Sequence, residues 1–276
     1  MSREPHSEVD HAIALTVAYD GSLFSGFARQ PSAQTVQGRL ENALRTALRR
    51  EVETTGAGRT DAGVHALGQV VSFDALGDEP EPRRLRRSLD ALCGDGIVVR
   101  EVRLARAGFS ARFDATGREY RYRIVTGSVP PLFLGRFAWH CPDDLDLAAM
   151  REASAHLVGE HDFASFCVSE SSVGKRTVRR VDAVEVAEEE HLGERCLTVR
   201  VTGNAFLHSM VRVMVGTLVE VGTGRRSAQW VRDALVAKRR EAAGPTAPPQ
   251  GLTLWAVAYP DDVWLRSGAY ERGNGR

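Results

Sequence analysis

The chain has 276 residues, 43% of them hydrophobic, and its 36 lysines and arginines balance 36 aspartates and glutamates. That length and apolar content suit one large folded domain or two modest ones, and no apolar run approaches the roughly 18 residues that span a bilayer. Residues 1–10 are hydrophilic and lack the apolar centre of a secretory signal, so a cytoplasmic protein with no membrane partner is expected.

The elements read off in chain order as follows. Ile13, Leu15, Val17 and Tyr19 alternate with smaller residues as a half-buried strand does, and Asp20-Gly21 marks a turn. Thr35 is placed to cap a helix whose apolar face is Val36, Leu40, Ala43, Leu44, Ala47 and Leu48. A short strand over 52–55, a glycine-framed loop and a strand over 69–73 follow. Next come a helix with Leu85, Leu89 and Leu92 on one face and a strand over 97–104. The second half repeats the order: strand 120–125, helix 147–158, strands 181–186 and 197–201, helix 207–221 and closing strand 254–259. An extra helix over 230–235 and a proline-rich loop over 244–251 precede that last strand.

The expected fold class is therefore α+β. Two ferredoxin-like β-α-β-β-α-β halves would form one extended mixed, mainly antiparallel sheet with a central cleft. The boundaries that follow are a disordered tail over 1–11, a first domain over 12–108, a second over 109–262 and a tail over 263–276.

Cys93, Cys141, Cys167 and Cys196 are widely spaced and suggest buried thiols, neither a zinc site nor a disulfide framework. Lys175 and Lys238 are the only lysines, so nearly all positive charge is arginine, whose planar fork suits phosphates and base edges. Arg83, Arg84, Arg86 and Arg87 cluster, as do Arg112, Arg118, Arg121 and Arg123, and then Lys175, Arg176, Arg179 and Arg180. Such clusters either line a basic nucleic-acid surface or form solvated faces.

The most informative stretch is Gly58-Arg59-Thr60-Asp61-Ala62-Gly63-Val64-His65-Ala66, between two predicted strands. Its glycines permit left-handed backbone or close approach to a ligand, and they frame an arginine and a carboxylate two positions apart. The spacing also suits a tight turn in which Asp61 accepts bonds from backbone amides. His65 has no second histidine at metal-ligand spacing and suits a turn or RNA-contacting role better.

This string closely resembles the active-site motif of the tRNA pseudouridine synthase A family, and other blocks are similar in order along the chain. Tyr19-Asp20-Gly21 with Phe24, Gly26 and Gln30, then Thr35-Val36-Gln37 with Leu40-Glu41, resembles the opening block. Phe109-Ser110-Ala111-Arg112-Phe113 with Arg118, Tyr120 and Tyr122 resembles the central one. Asn204-Ala205-Phe206-Leu207 with Met210-Val211-Arg212, and Ala247-Pro248-Pro249 with Gly251-Leu252, resemble the closing ones. Two departures stand out. Phe27 occupies a place where the family often has tryptophan, and Asp90-Ala91-Leu92-Cys93-Gly94 replaces an asparagine-containing stretch.

The resemblance implies a pseudouridine synthase fold and the isomerisation of tRNA uridines in the anticodon stem-loop by a homodimer. It implies Asp61 as nucleophile, Tyr120 packed against the target base and a candidate base for it, and Arg212 paired with the carboxylate. It further implies Arg59 contacting RNA or opening the stem, and Leu254 flooring the uracil pocket. The reaction oxidises nothing and imports no group, so neither cofactor nor metal is expected. Two rivals fit the residues less well: a non-catalytic RNA-binding module lacks the aromatic strand string it needs, and a metal-dependent hydrolase using Asp61 and His65 lacks further ligands.

Overall fold

A computed structural model describes residues 11–168, 174 and 176–265; residues 1–10 of the tail expected over 1–11, residues 266–276 and Lys175 of the third basic cluster lie outside them, and His11 begins the first strand. The described residues fall into two compact units. The first holds those up to Thr60, Ala66–Thr116 and those from Val257, and the second holds Asp61–His65 and Gly117–Ala256.

In the first unit the order is β1 (His11–Tyr19), α1 (Val36–Leu48), β2 (Thr55–Gly56), β3 (His65–Asp74), α2 (Pro82–Cys93) and β4 (Ile97–Arg106). The strands lie in the ferredoxin-like order β4-β1-β3-β2, all antiparallel. Ile13 sits in register with Phe73 on one side and Leu104 on the other. Thr35 caps α1 by accepting the Gly38 amide at 3.2 Å. Glu81 and Pro82 start α2, whose buried face is Leu85, Leu89 and Cys93. Leu92, expected on that face, is 41% exposed, and Cys93 takes the third place in the buried stripe.

Alternation along β1 predicts one buried face, yet Ala12 and Ala14 are as buried as Ile13 and Leu15. They belong to a cluster with Phe109, Ala111 and Val263, covered by Tyr259 and Trp264. The rings of Phe109, Tyr259 and Trp264 meet at 5.2 to 5.6 Å, and Trp264 bridges to Ala105. Residues 109–116 and the stretch from Val257 therefore pack with the first unit, and Val263 and Trp264, expected in a tail, belong to its core.

The second unit runs β5 (Gly117–Thr126), β6 (Trp139–Cys141), α3 (Leu147–Ala155), β7 (Gly159–Asp162), β8 (Val178–His191), β9 (Glu194–Gly203), α4 (Met210–Gly222), α5 (Gln229–Ala237) and β10 (Leu252–Ala258). Its strand order is β10-β5-β9-β8-β7, the ferredoxin-like arrangement with β7 added at the edge; the three-residue β6 pairs parallel to β5. The expected α+β class and mainly antiparallel pairing are present. Among the described residues no helix is long and apolar enough to cross a membrane.

Helix α4 fixes the interior of this unit. All its residues except Arg212 and Glu220 are buried. A helix buried all round must let other chain segments approach its axis, and glycine permits that. A Cβ on Gly216 would overlap the Pro245 carbonyl, and one on Gly222 would lie 2.8 Å from Met150 of α3. The Thr217 hydroxyl accepts the Gly244 amide at 2.9 Å, which seats the proline-rich loop on the helix. Gly216→Ala is expected to lower stability by about 3 kcal/mol through overpacking against backbone. A reduced urea midpoint with an unchanged slope would show this; a loss under about 0.5 kcal/mol would mean the loop is free to shift.

Candidate functional site

The glycine-framed loop is clamped at its start by side chains of the first unit. Gln69, fully buried, donates to the Gly58 carbonyl at 2.8 Å and accepts its amide at 3.3 Å. Thr60 accepts the Phe27 amide on its carbonyl at 3.1 Å, and its hydroxyl bonds Tyr19 at 2.8 Å. Phe27, at the place of the family's tryptophan, is 2% exposed and packs so closely on Gly56 that no Cβ would fit there. Asp90, in the other departure, accepts the Val99 amide at 3.2 Å.

From Asp61 the chain turns. The Val64 amide donates to the Asp61 carbonyl at 3.1 Å, and Gly63 supplies the positive φ of 79° that the turn requires. The Asp61 side chain is not capping this turn; its carboxylate is held by the segment that starts α4. Arg212 Nη1 donates to Oδ2 at 2.7 Å and the Ser209 hydroxyl to the same oxygen at 2.8 Å. His208 Nε2 stands 3.2 Å from Oδ1. Asp61 and Arg212 side chains are only 17% and 15% exposed, whereas His208 is 51% exposed. The other end of the guanidinium is fixed too: Arg212 Nε donates to the Ala247 carbonyl at 2.8 Å, and the Ala247 amide returns a bond to the Arg212 carbonyl at 3.1 Å. The expected contact between Asp61 and Arg212 is thus present, and Asp61–His65, placed by sequence inside the first domain, packs with the second unit for that reason.

Tyr120 and Tyr122 point to the same face of β5, as alternation requires, with 9% and 0% exposure. The Tyr122 hydroxyl donates to the Pro248 carbonyl at 2.7 Å, and its ring passes Gly251 with no room for a Cβ. Tyr120 meets Phe206 edge to face at 5.2 Å. Burial pushes the Tyr120 phenol up to about 12; Arg118 opposes the shift and the Asp61 charge adds to it. Arg118 in turn donates to the Asn204 carbonyl at 2.7 Å, and the Asn204 side chain accepts the Arg180 and Ala205 amides.

Leu254 has no exposed surface, and Arg59 is exposed with no ion pair among the described residues. His65, expected in a turn or against RNA, is 2% exposed and lies 4.9 Å from the Phe137 ring. Among the described residues no group of three or more His, Cys, Asp or Glu is placed to hold a metal. The four cysteines are buried free thiols. A cavity of about 300 Å3 lies in the first unit beside α1, lined by Arg29, Arg39, Glu41 and Arg45, and contains none of these site residues.

Sequence reasoning missed His208 and Ser209. Both sit between Leu207 and Met210, in the gap of a block otherwise matched, and that gap was the available signal. The helix expected from residue 207 begins at Met210, and Ser209 before it takes a left-handed conformation, φ 58°.

A family model described as tRNA pseudouridine synthase matches residues 15–114 and 153–260. A tRNA pseudouridine synthase A of Brevibacillus brevis is 46% identical over 247 residues, 90% of this chain and 99% of that one. Those of Geobacter sulfurreducens and Bacillus subtilis are 44% and 43% identical over 90% of this chain and 99% and 98% of theirs. With the Asp61 and Arg212 pair in place and the likeness running through both units, this chain belongs to the tRNA pseudouridine synthase A family, isomerases that convert uridine to pseudouridine.

Proposed function

We propose that the chain isomerises uridines in the tRNA anticodon stem-loop with Asp61 as nucleophile, acting in the cytoplasm as a homodimer. The observation that carries the nucleophile assignment is a carboxylate withdrawn from water, set in a turn and held by Arg212. The anticodon stem-loop, the homodimer and the compartment rest on the resemblance to the A family.

The chemistry balances without an external reagent. A lone pair of Asp61 forms a bond to the target nucleotide, the N1 to C1′ bond breaks with its electron pair left on uracil, and the base turns. C5 then bonds C1′, the C5 proton passes to a base and N1 takes up a proton, while the carboxylate is released unchanged. Arg212 stabilises the charge on Asp61 before attack and after release. Tyr120 packs on the target base and takes the C5 proton as phenolate. Leu254 floors the pocket, and Arg59 contacts RNA where the target leaves its stack.

Asp61→Asn keeps size and an acceptor for Arg212 but loses the anionic nucleophile. The variant is expected to fold and bind tRNA close to wild type and to form no pseudouridine over long incubation, as is Asp61→Ala. Substantial product from folded Asp61→Asn would remove the assignment.

Tyr120→Phe is expected to bind tRNA normally and to isomerise about a hundredfold more slowly. Because the phenol is pushed up to about 12, the phenolate is a minor form at neutral pH. Its share grows as pH rises, so the wild-type single-turnover rate should climb between about pH 7 and 9, and the variant should lose that slope. A phenylalanine variant as fast as wild type would leave Tyr120 only its packing role.

Arginines of the basic clusters differ in what they are free to do. Arg118, Arg121, Arg179 and Arg180 are bonded to carbonyls or carboxylates, whereas Arg83, Arg84 and Arg87 are exposed on α2 without an ion pair among the described residues. tRNA affinity should fall steeply with salt, and changing these three to glutamine should flatten the log-log slope by about 3 if each releases one counterion. An unchanged slope would make α2 a solvated face only.

A further inference from the structure

The two oxygens of the Asp61 carboxylate are in different surroundings. Oδ2 receives two donors, Arg212 Nη1 at 2.7 Å and the Ser209 hydroxyl at 2.8 Å, which together use the lone pairs a carboxylate oxygen offers in its plane. Oδ1 faces only His208 Nε2 at 3.2 Å among the described residues, on a side chain half exposed and able to turn to solvent. Ser209 is also unusual in its backbone. It stands where a helix N-cap would, yet its φ is 58° and its hydroxyl does not cap α4. A non-glycine residue in the left-handed region is strained, and an N-cap hydroxyl ordinarily bonds the helix's own free amides. Ser209 does neither of the things that would favour serine at a helix start, and instead aims its hydroxyl at Asp61.

We infer that Ser209 is a positioning residue for the nucleophile: with Arg212 it anchors Oδ2 and so leaves Oδ1 as the oxygen that attacks. The inference rests on the reading of Asp61 as nucleophile. Anchoring one oxygen at two points fixes the rotation of the carboxylate about its last bond, so the free lone pairs of Oδ1 project in one direction. The incoming nucleotide displaces His208 from Oδ1. Whichever carbon is attacked, the pair that forms the new bond comes from Oδ1 and returns to it when that bond breaks, so Oδ2 keeps both donors throughout. A fixed attack angle is what separates a positioned nucleophile from a freely rotating one.

Three variants test this. Ser209→Ala removes the hydroxyl and keeps the backbone penalty; Ser209→Gly removes the hydroxyl and relieves it; Ser209→Asn tolerates the left-handed backbone and presents an amide donor. Single-turnover rate, tRNA Kd and melting temperature are measured for each, with Asp61→Asn alongside. The expected result is a rate about thirtyfold lower in both Ser209→Ala and Ser209→Gly, the size of a lost hydrogen bond to a charged group, with Kd within twofold of wild type. Ser209→Gly should melt no lower than Ser209→Ala, and Ser209→Asn should recover most of the rate. A merely structural Ser209 would instead make the rate follow the melting temperature, so that the glycine variant is rescued and the inference falls. A Ser209→Gly rate equal to or above wild type, with Asp61→Asn inactive, would overturn the oxygen assignment and leave the nucleophile intact. Product from Asp61→Asn would overturn both.

Discussion

A carboxylate withdrawn from water needs donors in place of the water it has lost, and the guanidinium of Arg212 is the chief donor to Asp61. The arginine is itself immobilised by Ala247, which accepts from its Nε and donates to its carbonyl. Geometry at the carboxylate is therefore only as good as the placement of residues 244–251 on α4. That placement depends on Gly216 leaving room for Pro245, on the Thr217 hydroxyl taking the Gly244 amide, and on the Tyr122 hydroxyl reaching Pro248. Gly63, in the turn that carries Asp61, faces Pro249 of the same loop with little space to spare. Residues away from the carboxylate thus share one task, to hold the Arg212 guanidinium at a fixed distance from it.

The start of α4 shows what this task costs locally. An unstrained N-cap would give the helix a side-chain acceptor for its free amides and an extended backbone. Ser209 gives neither, and spends its hydroxyl on Asp61. The helix tolerates the defect because nearly all its remaining surface is buried in the second unit, so packing and not capping sets its stability. The anion of Asp61, beside the positive end of α4, is also favourably placed toward the helix dipole.

Much of the fold was legible in the chain because most elements have one buried face. Helix α1, with Thr35 as cap and Leu40 and Leu44 inward, follows its periodicity, and strand order in each unit follows from the repeated β-α-β-β-α-β pattern. Legibility failed where burial was not one-sided. Ala12 and Ala14 are small, and nothing local announces that aromatic residues from Phe109 and Trp264 will cover them. Helix α4 is apolar almost all round, so its pattern put the start at residue 207 where the helix begins at Met210, and the left-handed backbone that ends the preceding segment falls on a serine and not on a glycine. The strand expected over 52–55 is the two-residue β2 at Thr55–Gly56, and the three-residue β6 is too short for periodicity to register. At the site, the resemblance supplied Asp61 and Arg212, but the contact of Ser209 with Asp61 comes with a rotation about one backbone bond that composition does not encode.

Burial disfavours the charged form of any side chain, and Tyr120 and Asp61 differ in the partners each is given. For Tyr120 burial favours the uncharged phenol, and no cation bonds its oxygen among the described residues, so the shift upward stands with only partial relief from Arg118. For Asp61 the charged form is matched by a guanidinium and a hydroxyl on one oxygen. A phenol with no cation on its oxygen and a carboxylate with a guanidinium on its own thus stand near enough for the Asp61 charge to add to the Tyr120 shift. The neutrality of the whole chain hides this local arrangement: arginines such as Arg118, Arg121 and Arg212 are engaged on carbonyls and carboxylates, whereas Arg59, Arg83, Arg84 and Arg87 are exposed without an ion pair among the described residues.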